Sequence, residues 1–236
     1  MIKLHNQIVG GDHPTFIIAE IGINHQGKIE IAKDLIMKAK ECGAHAVKFQ
    51  KRNISRILTK EGLDMVYDNR NSFGKTYGEH KKALELRGSD YKALKEFSDD
   101  LEIIFCASGW DEDSIDFLND LNVPFFKMAS ADLTNFPLLI HTAKKGKPII
   151  LSTGMSSMKI VKTAFSLIKP INNQIAILQC TSTYPSDFSE INLNVIRTYQ
   201  TEFPEAIIGY SGHEQGIAIP SAAVAMGAKI IEKHFL

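Results

Sequence analysis

The chain has 236 residues, enough for one large α/β domain built around a substantial core. Apolar residues make up 44% and charged residues 23%, as in ordinary globular domains, and 27 Lys and Arg balance 27 Asp and Glu. A net charge of zero gives no support to nucleic-acid or membrane binding as the main role, no apolar run approaches a membrane span, and the N-terminus lacks a signal-peptide layout.

Residues 1–15 carry Gly10, Gly11 and Asp12, a turn signal that predicts a short hairpin. From residue 16 onward, β-rich apolar runs alternate with amphipathic stretches. The runs are Phe16–Ile21, Ala46–Gln50, Ile103–Ser108, Phe125–Ala129, Pro148–Ser152, Ile175–Thr181, Ala206–Gly209 and Lys229–Phe235. Between them, Ile29–Cys42, Asp111–Leu121 and Ser156–Ile168 place apolar residues every three to four positions, the period of a helix. Eight strands in alternation with helices predict a closed (β/α)8 (TIM) barrel over 16–236, with the hairpin of 1–15 closing its bottom. An open dinucleotide-binding sheet would be expected to carry GxGxxG, which is absent.

The connection over 51–90 is unusually long and rich in Asn, Arg, Lys and Gly, a length that marks functional or disordered loops. Its Arg70, Lys75, His80, Lys81 and Lys82, with Gly74 and Gly78, could approach a phosphate. The chain stops just after the eighth strand. It is therefore expected to be the truncated part of a longer barrel, with apolar outward faces exposed on the first and last strands.

Barrel enzymes gather reactive groups at the C-terminal ends of their strands. Here Glu20, Lys48, Lys127 and His234 end apolar runs that would not otherwise tolerate charge. Lys48 and Lys127 are candidates for holding a phosphate and a carboxylate. Ser108, Ser130, Ser152, Ser182 and Ser211 recur at strand ends, where hydroxyls and backbone N–H groups complete anion sites. His213 and His234 end neighbouring strands and suit a divalent ion such as Mn2+, with Mg2+ or Co2+ as alternatives. His5, His13, His45 and His141 read as surface residues and Trp110 as packing. Cys42, Cys106 and Cys180 are an odd number without CxxC spacing, read as reduced thiols, which points to the cytoplasm.

The stretches AEIGINHQG (19–27), AVKFQ (46–50), FFKMASADLTNFPLL (125–139), ILSTGM (150–155), LQCTSTYP (178–185), IGYSGHEQG (208–216) and IIEKHF (230–235) resemble the sialic acid synthases along nearly the whole chain. The segment SFGKTYGEHKKALEL (72–86) is similar to the animal-like branch that uses a phosphorylated sugar. The resemblance implies condensation of phosphoenolpyruvate with N-acetylmannosamine 6-phosphate or a related N-acylhexosamine, releasing phosphate. It places phosphoenolpyruvate on Lys48, Ser108, Lys127, Ser130, Ser182 and Ser211, and the metal on His213 and His234. Glu20 and Asp132 fall on catalytic carboxylates, and Tyr184 lies near the sugar, with Lys75, His80 and Lys81 toward its phosphate. It also implies a homodimer for the full-length protein, with an eighth helix and a small antifreeze-like domain beyond the barrel. A phosphoenolpyruvate-dependent synthase acting on arabinose 5-phosphate or erythrose 4-phosphate, a free hexosamine acceptor and a non-catalytic barrel remain as alternatives.

Overall fold

The computed structural model describes residues 1–235. The chain opens with β1 (Ile2–Leu4) and β2 (Gln7–Val9), an antiparallel pair in which Ile2 faces Val9 and Leu4 faces Gln7. The hairpin is present, but it turns at His5 and Asn6, with His5 at φ 57°. Gly10 and Gly11 instead follow β2, where the chain turns toward the barrel.

The barrel strands are β3 (Phe16–Gly22), β4 (Ala46–Lys51), β5 (Ile104–Gly109), β6 (Phe126–Met128), β7 (Ile149–Ser152), β8 (Ile175–Cys180), β9 (Ile207–Gly212) and β10 (Ile230–His234). All adjacent pairs are parallel, in the order β5-β4-β3-β10-β9-β8-β7-β6. β5 and β6 lie side by side and complete the ring without a ladder of their own. The helices are α1 (Ile29–Glu41), α2 (Ile54–Ile57), α3 (Lys60–Asp64), α4 (Tyr77–Leu84), α5 (Gly88–Asp100), α6 (Glu112–Asp120), α7 (Phe136–Ala143), α8 (Met158–Ile168), α9 (Asn194–Glu202) and α10 (Ala218–Ala225).

Side chains alternate across each strand, which divides the core in two. Outward residues such as Ala19, Ile21, Val47, Phe105, Leu151, Ile177 and Ile231 pack under the helices, against Ile36, Leu94, Ile115, Val161 and Ile196. Inward residues Phe16, Ile18, Ala46, Ile104, Cys106, Phe125, Ile150, Leu178 and Ile230 form a second core with Ile2, Leu4 and Val9 of the hairpin. The hairpin is therefore a plug whose apolar face continues the barrel interior downward.

The outward faces of the first and last barrel strands were expected to be exposed; instead Ala19, Ile21 and Ile231 are buried and Ile17 is half-buried. The large exposed apolar residues of this region lie on α10 and its lead-in, at Ile217 and Val224. The connection expected to be one long loop over 51–90 folds into α2, α3 and α4. Thr76 and Glu79 form a capping box that starts α4, and Val66 bridges Thr76.

Candidate active site

The alternation that fills the barrel also builds its mouth. Ile18, Ala46, Cys106, Phe125, Ile150, Leu178 and Ile230 point inward, and two residues further along each strand stand Glu20, Lys48, Ser108, Lys127, Ser152, Cys180 and Glu232. Ser211 takes the same place on β9, two residues beyond Gly209. Every strand thus contributes one polar side chain at the same height, and all eight line a cavity of about 280 Å3.

Four members of this layer are charged and almost fully buried: Glu20, Lys48, Lys127 and Glu232. Lys48 Nζ lies 2.5 Å from Glu20 Oε2, and Lys127 Nζ lies 3.3 Å from Glu232 Oε1. Gln50 donates to Glu20 at 3.1 Å, and Ser211 donates to Glu232 at 3.0 Å. Desolvating such ions costs several kcal/mol each, and an apolar layer of equal volume is often as stable or more so. Stability does not explain the quartet, and buried charges of both signs beside a cavity suit a charged ligand.

Burial raises the Glu20 carboxyl above its ordinary value, and the Glu232 charge adds to this against the opposing pull of Lys48. Burial would also raise Glu232, but Lys127 and then Lys48 outweigh it and hold Glu232 near 2. For Lys48, burial works against the charge, yet Glu20 and Glu232 together raise its pKa. Glu20 is therefore the member of the quartet best suited to take up and release a proton.

Beside the lysines, the loops after β6 and β7 form a small polar cradle. Gly154 N–H donates to Ser130 Oγ at 3.0 Å. A Cβ on Gly154 would fall 2.0 Å from Ser182 Oγ, so only glycine lets the backbone come this close to the two hydroxyls. Ser152 Oγ is buried in the same cavity with no protein partner. A hydroxyl left unpaired beside two lysines fits an anionic ligand oxygen.

At the ends of β9 and β10, the rings of His213 and His234 lie 5.4 Å apart, and the Tyr184 ring, tilted by 38°, lies 3.9 Å from that of His213. His213 Nδ1 sits 2.6 Å from the carbonyl oxygen of Thr181, which can only accept. A proton therefore sits on Nδ1, and in the neutral ring the Nε2 lone pair is then the one available to a metal. Partial burial, and next the charge of His213, pull His234 down to about 4 and keep it neutral. Burial alone would lower His213, but its hydrogen bonds to Cys180 and to the Thr181 carbonyl outweigh it and raise its pKa, so a divalent ion would bind this ring by displacing the Nε2 proton; a pair of imidazoles suits such an ion. No group of three or more His, Cys, Asp or Glu able to hold a metal occurs among the described residues. Water and ligand oxygens would have to complete the shell.

Glu20, Lys48, Ser108, Lys127, Ser130, Ser182, Ser211, Tyr184, His213 and His234 thus line one cavity. Asp132 does not. It faces a neighbouring cleft with Arg56, Asp111 and Asn135, which shares Trp110 with the main cavity. Burial and the charge of Asp111 raise Asp132 to about 6. Lys75, His80 and Lys81 also stand off the cavity. His80 is buried, ringed by Tyr67, Phe73 and Tyr77, and accepts the Phe73 N–H. Lys81 lies over the Tyr77 ring, and Lys75 is exposed. Trp110, expected as packing, lines the cavity. His45, expected at the surface, is half-buried against Phe16 and accepts the Ile17 N–H. Glu232 escaped the sequence reading, although its signal was there: it lies two residues before His234, on the same face of β10.

Fold and site together define a parallel (β/α)8 barrel with a charged, ligand-sized mouth at the C-terminal ends of its strands. The model of the NeuB family matches residues 35–236, and the chain belongs to that family. It is 51% identical to the N-acetylneuraminate-9-phosphate synthase of Homo sapiens over 226 residues, 96% of this chain and 63% of that protein. It is 41% identical to the N,N'-diacetyllegionaminic acid synthase of Legionella pneumophila, over 96% of this chain and 65% of that protein. Among solved structures, it superimposes on the N-acetylneuraminic acid synthetase of Leptospira borgpetersenii, determined in complex with citrate. The TM-score is 0.87 at 36% identity, covering 99% of this chain and 77% of that one. The chain therefore spans less than two thirds of the length of the human relative.

Proposed function

We propose that this barrel condenses phosphoenolpyruvate with an N-acylhexosamine, N-acetylmannosamine 6-phosphate above all, to give a nonulosonic acid 9-phosphate and inorganic phosphate. One observation carries the reading: two buried lysines, two buried carboxylates and two imidazoles line one cavity of about 280 Å3. Lys48 and Lys127 hold the phosphate and carboxylate of phosphoenolpyruvate, with Ser108, Ser130, Ser182, Ser211 and the unpaired Ser152 hydroxyl completing the anion contacts. Tyr184, tilted against His213, forms a wall against the sugar. His213 and His234 would hold a divalent ion, Mn2+ in this reading, which when bound supplies Lewis acidity toward the acceptor's aldehyde oxygen.

The new carbon–carbon bond forms between C3 of phosphoenolpyruvate and the aldehyde carbon. Water then adds at C2 with loss of one proton, and as the C2–O bond to phosphate breaks the remaining hydroxyl proton leaves with the phosphate to give the ketone. The aldehyde oxygen gains one proton and the water loses one, so a single carboxyl can balance the sequence. Glu20 is that carboxyl, because burial raises it and because Lys48 turns to the ligand's charge once phosphoenolpyruvate is bound. The lysines fix the reactants, so catalysis is positioning plus electrostatics.

A second reading, a free N-acylhexosamine as acceptor, is favoured by one feature: Lys75, His80 and Lys81 do not line the cavity. The phosphorylated acceptor is supported by the likeness to the human 9-phosphate synthase. Within the same proposal, the longer protein is a homodimer working in the cytoplasm. Phosphate release from phosphoenolpyruvate tests the activity. It is expected only when acceptor and Mn2+ are both present, and to stop with a chelator. Release without any acceptor, or none under any condition, would overturn the reading.

A further inference from the structure

His213 and His234 sit at the ends of two strands, and the backbone ladder does not hold them together. The β9–β10 register ends with Lys233 opposite Gly212, so the chain leaves the sheet before His213. What lies beside the ladder's end is an ion pair with its carboxylate wholly buried and its lysine partly so. Glu214, 3% exposed, accepts from Lys233 Nζ at 2.5 Å and from Tyr210 Oη at 2.5 Å. Lys233 Nζ also donates to the Glu214 carbonyl. Neither Glu214 nor Lys233 lines the cavity. Each, however, is the immediate neighbour of one imidazole: Glu214 follows His213 and Lys233 precedes His234.

The backbone is shaped around this contact. A Cβ on Gly212 would fall 2.2 Å from Glu214 Oε2 and 2.4 Å from Tyr210 Oη, so glycine here leaves room for the Glu214 carboxylate against the Tyr210 hydroxyl. An ion pair of which one member is wholly buried is a weak source of stability, and its position calls for another reason. We propose that the Glu214–Lys233 pair, braced by Tyr210, is a spacer that fixes the separation of His213 and His234 and thereby sets the affinity of the site for a divalent ion. Glu214 and Lys233 are positioning residues: they touch neither ion nor substrate, and they act through the imidazoles beside them. The inference rests on the proposed two-histidine metal centre and adds what holds it in shape.

Mn2+ binding to the 236-residue chain, measured by titration calorimetry with the unfolding midpoint recorded for each variant, tests it. Glu214→Gln and Lys233→Met are each expected to weaken Mn2+ binding by about tenfold to a hundredfold, the range seen when supporting partners of metal ligands are removed. The double variant should be hardly weaker than either single one, because both remove the same contact. Lys233→Arg should restore most of the affinity, and phosphoenolpyruvate binding measured without metal should stay within about twofold, well below a 1.4 kcal/mol effect. A merely structural role would instead weaken both ligands together. Should Glu214→Gln fail to fold, Tyr210→Phe removes one hydrogen bond from Glu214 and is expected to weaken Mn2+ binding severalfold. Unchanged Mn2+ affinity in the folded variants overturns the spacer while leaving the metal centre standing. Equal Mn2+ binding by the parent and His213→Ala overturns both.

Discussion

Removing one charge from the Glu20, Lys48, Lys127 and Glu232 quartet strands its partner in the barrel. Lys127→Met is therefore expected to cost about 3–5 kcal/mol of stability, by leaving Glu232 buried and unpaired, and to abolish phosphoenolpyruvate binding. Adding Glu232→Gln should restore much of the stability, read by denaturant unfolding, without restoring the ligand isotherm. Restored binding in the double variant would remove Lys127 from the site. Asp132 makes a different prediction. Its pKa is about 6 when folded against 3.8 ordinarily, so the stability it contributes is complete below about pH 4 and is lost as the pH rises through 6. Asp132→Asn should be more stable than the parent at pH 8 by about 2–3 kcal/mol, and the gap should close toward pH 4. Identical pH profiles would contradict that. The two residues also show where single-residue reading stops. Lys127 stood out because a charge straight after Pro-Phe-Phe is conspicuous, whereas Glu232 was hidden among the polar neighbours Lys233 and His234. Asp132 carries the right chemical group one turn beyond β6, but nothing in a sequence says which side of Trp110 a short 3-10 turn will face.

At the scale of elements, long periodic segments were legible and short ones were not. The boundaries expected for Ile29–Cys42 and Asp111–Leu121 lie within a residue of α1 and α6, because an apolar stripe against the sheet decides them. The region 51–90 has no such stripe. Its helices α2, α3 and α4 are four, five and eight residues long, too short for periodicity to register. The Thr76 and Glu79 capping box and the Thr59 cap start α4 and α3, signals too local to outweigh the loop-like composition around them. The loop after β7 was readable as a motif, ILSTGM, but the reason for its glycine is spatial. Gly154→Ala would drive a methyl group into Ser182 Oγ and close the cradle. Loss of one or two charge-assisted hydrogen bonds there predicts phosphoenolpyruvate binding weaker by about tenfold or more, with an unfolding midpoint near that of the parent. Unaltered affinity would mean that the cradle holds no part of the ligand.

For the molecule as a whole, the eight-strand alternation and the hairpin followed from the order of apolar runs, while the hairpin's turn did not. Gly10 and Gly11 are the stronger turn signal, yet β1 and β2 pair across His5 and Asn6 because that register points Ile2, Leu4 and Val9 into the open barrel bottom. Leu4, fully buried there, is expected to cost about 2–5 kcal/mol when changed to Ala, although it lies at the opposite end of the barrel from the cavity. An unfolding midpoint unchanged in Leu4→Ala would show that the hairpin is not a plug. Burial below and charge above are two halves of one arrangement: the apolar layers let the polar layer stand alone at the mouth, where one ligand can meet all eight strands. Mass spectrometry of the products formed from phosphoenolpyruvate, Mn2+ and a panel of free and 6-phosphorylated N-acylhexosamines tests that arrangement most directly. The account predicts a nonulosonic acid whose mass is that of acceptor plus phosphoenolpyruvate plus water minus phosphoric acid, most abundant with the 6-phosphate of N-acetylmannosamine. Phosphoenolpyruvate consumed without any such adduct, or an adduct formed equally well after Lys48 and Lys127 are both changed to Met, would contradict it.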